Sequence, residues 1–311
     1  MTTIGGPRRL GAELAFEAHC ELGEGPVWDD RRQLLLWVDI LAGNVHSLDV
    51  AAGAHSSFPA GMPVGAVGLT ADGGLVLARA DGFAMADADG RDLRPVGDFR
   101  ADTATVRFND GKPDPWGGFC AGTMRWRGSA ALGSLYRLSP QGGVTELETG
   151  VEVSNGLDWT DDLRRLYYVD SHAGGIDMFD CDPGNGALSG RRRFVDVPAT
   201  TGVPDGLSLD ADGAVWVAIH GSGEVRRYTP DGRLDTVVPL PVRQVTSVAF
   251  GGPQLSTLFI TTARDDASPS GTSERSHAGD IFCCTPGTSG RPPFRYAPEP
   301  GPAAAADRRR S

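Results

Sequence analysis

The chain lacks the features that direct a protein to nucleic acid, to a membrane or to an oxidising compartment. Basic residues are in deficit: 29 Lys and Arg stand against 40 Asp and Glu, giving a net charge of -11. A binder of nucleic acid or of an anionic membrane needs a basic face, so both classes are set aside. The two basic runs, Arg191-Arg192-Arg193 and Arg308-Arg309-Arg310, are short. The first reads as a solvated strand edge and the second as part of a tail. No stretch is apolar for long enough to span a bilayer, and Met1 to Leu10 holds no apolar core of signal-peptide length. The expectation is a cytoplasmic protein. The cysteines Cys20, Cys120, Cys181, Cys283 and Cys284 form no CxxC pair and are odd in number. They read as buried, reduced thiols rather than a disulfide framework. Sustained helical periodicity with caps is missing as well.

Turn chemistry is what the chain has in quantity, with 43 Gly and 22 Pro beside an ordinary hydrophobic fraction of 40%. The stretch Val203-Pro204-Asp205-Gly206-Leu207-Ser208-Leu209, then Asp212-Gly213, then Ala214-Val215-Trp216-Val217-Ala218 reads as strand, Asp-Gly turn and strand. This unit recurs. Segments that enter a hairpin through a small or polar residue begin around Glu24, Gly65, Asn109, Asn155, Asp205 and Thr246. Their spacing of about 41 to 50 residues suits a four-stranded propeller blade. A second series, in which Gly opens a strand, falls at Gly43, Gly82, Gly133, Gly175, Gly223 and Gly279, one after each member of the first. Two hairpins per unit and six units predict an all-β fold, a six-bladed β-propeller of four-stranded antiparallel blades. The expected organisation is a disordered segment over 1–12, one propeller domain over 13–298 and a disordered tail over 299–311. The strand from Glu13 to Ala18 is expected to close the ring by pairing with the last blade near Phe294 to Tyr296.

Equivalent positions of such a ring converge on its axis, and here they are Glu24, Gly65, Asn109, Asn155, Asp205 and Thr246. Carboxylates and amides around one narrow channel would repel or stay partly unpaired. Two readings fit: a hard divalent cation held by oxygen ligands, or strand caps binding water in a wet channel. The absence of His and Cys from these positions argues against a thiolate-type zinc site.

Several motifs, in order along the chain, resemble the SMP-30/gluconolactonase/regucalcin-like family. They are Leu22-Gly23-Glu24-Gly25-Pro26-Val27-Trp28, Arg107-Phe108-Asn109-Asp110-Gly111-Lys112 with Asp114-Pro115, Ala121-Gly122-Thr123-Met124, Ser154-Asn155-Gly156-Leu157 and Pro204-Asp205-Gly206. The resemblance covers about residues 15–297. It implies a six-bladed propeller with one divalent metal, calcium first and zinc, manganese or magnesium as alternatives, held by Glu24, Asn155 and Asp205. It further implies that Arg107 and Asn109 contact a sugar-lactone substrate and that Asp205 is the catalytic acid/base. The implied activity is lactone hydrolysis on a small-molecule lactone or ester, with no nucleic-acid or membrane partner. Alternatives are another metal-dependent ester, phosphotriester or secondary-metabolism reaction on the same site, or calcium binding without catalysis.

The chain departs from the family pattern at Arg125-Trp126-Arg127, where some members carry an acidic residue that touches the sugar. A basic, aromatic stretch suits a less polyhydroxylated or an anionic substrate. The insert at 264–278 is polar and Ser-rich, and His172 and His220 are expected at the rim, facing solvent or satisfied partners.

Overall fold

Strand Leu34–Asp39 shows how the propeller is built. Its side chains alternate between the two faces of a sheet, as any strand's do. Leu35 and Trp37 pack on one side with Phe259 and Ile281. Leu36 and Val38 pack on the other with Val64, Val67 and Leu77. Each face therefore meets a different neighbouring sheet, and the strand is buried over nearly its whole length. The computed structural model describes residues 6–61, 63–127, 132–264 and 277–299. Within them the chain forms six sheets, five with four strands and one with five. The six apolar clusters each join two consecutive sheets, so the core is a ring of interfaces between blades. This is the six-bladed propeller that the repeats predict.

The innermost strands of the six blades are Gly23–Asp29, Val64–Leu69, Val106–Pro113, Ser154–Trp159, Val203–Leu209 and Val245–Gly251. Each breaks register with its outer neighbour once, between Glu24 and Val27, Val64 and Ala66, Phe108 and Gly111, Ser154 and Leu157, Pro204 and Leu207, and Val245 and Ser247. A bulge re-aims side chains and bends the strand. All six positions singled out from the repeats lie at these irregularities. Glycine follows the bulged residue where inner strands crowd the axis. A Cβ at Gly156 would stand 2.3 Å from the Leu207 amide nitrogen, and one at Gly206 would stand 1.9 Å from Ser247 Oγ.

Ring closure uses the N-terminal segment, but at a different place from the one expected. Glu13–Phe16 pairs antiparallel with Ile281–Cys284, through Glu13 opposite Cys283 and Leu14 opposite Phe282. The stretch 291–297 forms no strand there. It runs beneath the ring instead: Arg291 pairs with Asp158 and Asp161, Arg295 with Asp29 and Asp30, and the Tyr296 amide donates to Leu69 O. Pro292 and Pro293 cannot donate to a sheet ladder, which favours this course. A second correction concerns residues 1–12. Arg8–Arg9 adds a fifth strand to blade five, parallel to Leu234–Pro239. An edge strand is joined through backbone groups, so neither apolar pattern nor side-chain chemistry announces it. Of the expected tail, Glu299 donates its amide to Pro140 O, and 300–311 lie outside the described residues. So do 128–131, within the irregular segment of blade three, and 265–276 of the insert.

The remaining expectations concern cysteines and charge. All five cysteines are free, four of them buried. Arg191, Arg192 and Arg193 lie on the outer strand Leu188–Asp196, each paired with a carboxylate. No helix among the described residues is long and apolar enough to cross a membrane.

Candidate metal centre

The bulges bring Glu24, Asn109, Asn155 and Asp205 together at the axis, and all four are buried. The two asparagines are linked by a chain of side-chain hydrogen bonds running from Arg107 to Ser171. Arg107 Nη1 donates to Asn109 Oδ1 at 2.7 Å, and Asn109 Nδ2 donates to Asn155 Oδ1 at 3.1 Å. Asn155 Nδ2 donates to Ser171 Oγ at 2.8 Å, and Ser171 donates to Pro204 O at 2.7 Å. These bonds fix the orientation of both amides. Gly65 leaves room rather than a ligand. Thr246 is turned to structural work, donating to Gly23 O and sharing a hydrogen bond with Thr261.

Charge is out of balance in this space. Burial pushes the Glu24 carboxyl well above its ordinary value, and the charges of Asp205 and Asp110 push it further. Burial raises Asp205 in the same way, with Asp110 adding to it. Asp110 is raised by burial too, against the pull of Lys112. Three carboxylates thus face a single buried cation, Arg107, whose own value is lowered by burial to about 10. Asp205 Oδ1 and Arg107 Nε are buried without a hydrogen-bond partner. An orphaned carboxylate oxygen in a dry site is costly, and such sites accept a cation readily. The donor set is oxygen only, which suits a hard divalent ion.

Asp110 and Ser171 belong to this centre although the sequence did not single them out as site residues. Asp110 follows Asn109 inside the same bulge, and two successive polar residues before Gly111 interrupt the strand's alternation, which is the signal that was there to find. Asp110 also lines a cavity of about 70 Å³ together with Lys112 and Arg291. Lys112 pairs with Asp158 at 3.3 Å and closes that end. At the opposite rim, Trp126 stacks on Arg107, the guanidinium carbon lying 5.4 Å from the ring centroid. His172 is exposed and bonded to Glu152 at 3.0 Å, and His220 lies half-buried opposite Val203. His172 stands outside the buried hydrogen-bonded chain.

A second group of ligand-type side chains sits in blade one, where Cys20, Asp39 and His46 bring ligand atoms within 4.8 Å of one another. Here the carboxylate is satisfied. Asp39 accepts the amides of Glu21, Leu22 and Ala42, and Cys20 Sγ accepts the Trp37 indole N–H. Burial pushes the Cys20 thiol up to about 12, the opposite of what a thiolate ligand needs.

Comparison with known proteins agrees with the fold. Residues 22–264 match the model of the SMP-30/Gluconolactonase/LRE-like region. The chain is 36% identical over 292 residues to regucalcin of Oryctolagus cuniculus, spanning 92% of this chain and 98% of that one. It is 38% identical over 285 residues to pentonolactonase XacC of Haloferax volcanii, spanning 90% and 96%. Among solved structures, a regucalcin of Agrobacterium tumefaciens described as a calcium-binding protein superposes with a TM-score of 0.87 at 27% identity, covering 94% of this chain and 99% of the other. With its bulged inner strands and collinear motifs, this chain belongs to the SMP-30/gluconolactonase/LRE-like family.

Proposed function

We propose that the protein is a divalent-metal-dependent lactone hydrolase whose cation is held by Glu24, Asn155 and Asp205. The observation that carries this is the cluster of buried carboxylates with one opposing guanidinium and an orphaned Asp205 oxygen. Calcium is the first choice for an all-oxygen site, with zinc, manganese and magnesium as alternatives. When bound, the ion supplies Lewis-acid polarisation of the lactone carbonyl and acidification of a water. The chain's own residues do the rest. Asp205 accepts a proton from the attacking water and returns it to the ring oxygen as the C–O bond breaks. Arg107 presents a planar set of donors to the substrate, and Asn109 fixes that guanidinium by accepting from Nη1. Ser171 holds Asn155 in place.

The relative named pentonolactonase supports a lactonase, and the solved regucalcin described as a calcium-binding protein supports a calcium binder. Arg107 favours the enzyme, because a site that only binds an ion has no use for a buried guanidinium beside it. Acid release from a panel of aldonolactones, followed with a pH indicator with and without chelator, tests the proposal. Chelator-sensitive turnover is expected. Metal binding with no turnover of any lactone or ester would leave only the calcium binder.

A further inference from the structure

The rim above the candidate centre has a charge pattern of its own. Two guanidinium groups lie against the Trp126 ring, with Arg107 Cζ 5.4 Å and Arg127 Cζ 5.8 Å from its centroid. The backbone holds the arrangement: the Trp126 amide donates to Thr105 O at 2.7 Å, and Arg107 sits opposite Met124 in the adjacent strand. Cation–π contact orients both arginines about a rigid plane. The inner arginine is buried and has an unpartnered Nε. The outer one is exposed and makes no ion pair among the described residues. Arg191, Arg192 and Arg193 on the outer strand of blade four all carry carboxylate partners. In a protein of net charge -11, Arg107 and Arg127 bring two guanidinium groups to one indole at this rim.

From this we infer that the substrate is an anionic lactone, one bearing a free carboxylate besides its ester, and that Arg127 and Trp126 select it. The inference rests on the lactonase reading above. With a divalent cation in place, the charges of Glu24, Asp110, Asp205 and Arg107 sum with it to zero. The charge that discriminates between substrates is then the one left over at the rim, on Arg127. The groups the stack offers, two guanidiniums and an indole N–H, are all hydrogen-bond donors. A neutral polyol needs acceptors as well as donors around it, whereas a carboxylate needs donors only. A guanidinium fork also matches carboxylate geometry in two parallel bonds. A positive mouth on an acidic protein steers an anion to the channel in a salt-dependent way.

The test uses a matched pair of probes, D-glucono-γ-lactone and D-glucaro-γ-lactone, which differ only in carrying a hydroxymethyl group or a carboxylate at the terminal carbon. Initial rates are measured on the metal-loaded full-length protein at low and high salt. The wild type is expected to favour the carboxylate-bearing lactone by about tenfold in kcat/KM, through KM, with the preference shrinking as salt rises. Arg127→Gln should bring the ratio close to one, and Arg127→Glu should invert it. Trp126→Leu should lower it by releasing both guanidiniums from their plane. Arg127 is exposed, so its variants are expected to fold, and their melting temperatures check this. Turnover of both probes without preference, or a preference that Arg127→Glu leaves intact, overturns the inference and spares the lactonase reading. Turnover of neither probe, when other aldonolactones are hydrolysed, overturns the inference alone, and no turnover of any lactone or ester overturns both.

Discussion

Two buried groups of metal-ligand residue types lie among the described residues, and they differ in how their polar atoms are satisfied. In blade one, Asp39 sits beside Cys20 and His46 and accepts three backbone amides. At the axis, Asp205 keeps an oxygen with no partner, and Glu24 and Asp110 crowd it with further negative charge. The first group is a cap on the loop before Gly23. The second is an electrostatic deficit that protein groups alone do not fill. Ligand identity and proximity do not separate the two cases, while the fate of each oxygen does.

The largest expected effect is on turnover. Asp205→Ala should lower kcat on any accepted lactone by about a thousandfold, the range general acid–base groups supply, while His46→Phe leaves it within a factor of about two. Wild-type turnover in Asp205→Ala would end the assigned role. Next comes folding stability. Asp39→Ala leaves buried amides without their charged acceptor and should cost about 3 kcal/mol in urea unfolding. Saturating metal should stabilise the wild type by about 2.7 kcal/mol at a hundredfold excess over Kd, and Asp205→Asn should lose most of that response. In metal-free protein, Asp205→Asn should act the other way, raising stability by about 1 kcal/mol through relief of repulsion. That gain has a pH signature. A carboxylate whose folded value is raised contributes its stability fully below the unfolded value and loses it as pH rises, so the gain should grow on the alkaline side.

The smallest effect concerns the blade-one histidine. Burial, helped by His55, lowers His46 to about 4 from 6.5, and its Nε2 is buried without a partner. The folded protein therefore binds fewer protons than the unfolded chain between those values. Stability should fall as pH drops from about 6.5 towards 4. His46→Phe should flatten that limb of the melting profile, and an unchanged profile would remove His46 as its source.

The axis positions were legible in the sequence because they recur at blade spacing, and every one of the six coincides with a register break. What repeats could not reveal was the depth of the bulges. Asp110 reaches the centre because its strand slips between Phe108 and Gly111, a backbone event with no periodicity of its own. Ser171 reaches Asn155 because a short 3-10 turn follows Asp170, a local geometry that the repeat pattern does not encode. The partner of Glu13–Phe16 was missed for a different reason. Apolar character near Phe294 looked like a strand, whereas Phe294 serves the interface of blades three and four beside Trp159.

The pairing of Glu13 with Cys283 also bears on how the molecule is made. The partners stand 270 residues apart, so a ribosome releases one of them long before it has built the other. Blades one to five can each complete their own four strands as they emerge, but blade six must wait for a segment synthesised at the start. Joining distant stretches carries the greatest loop-closure entropy in the fold. Until it happens, Ile281–Cys284 presents an open edge able to recruit a stray strand. Pulse-labelled hydrogen exchange should accordingly find the amides of Ile281–Cys284 among the last to gain protection, and protection there ahead of blade four would contradict this order of assembly.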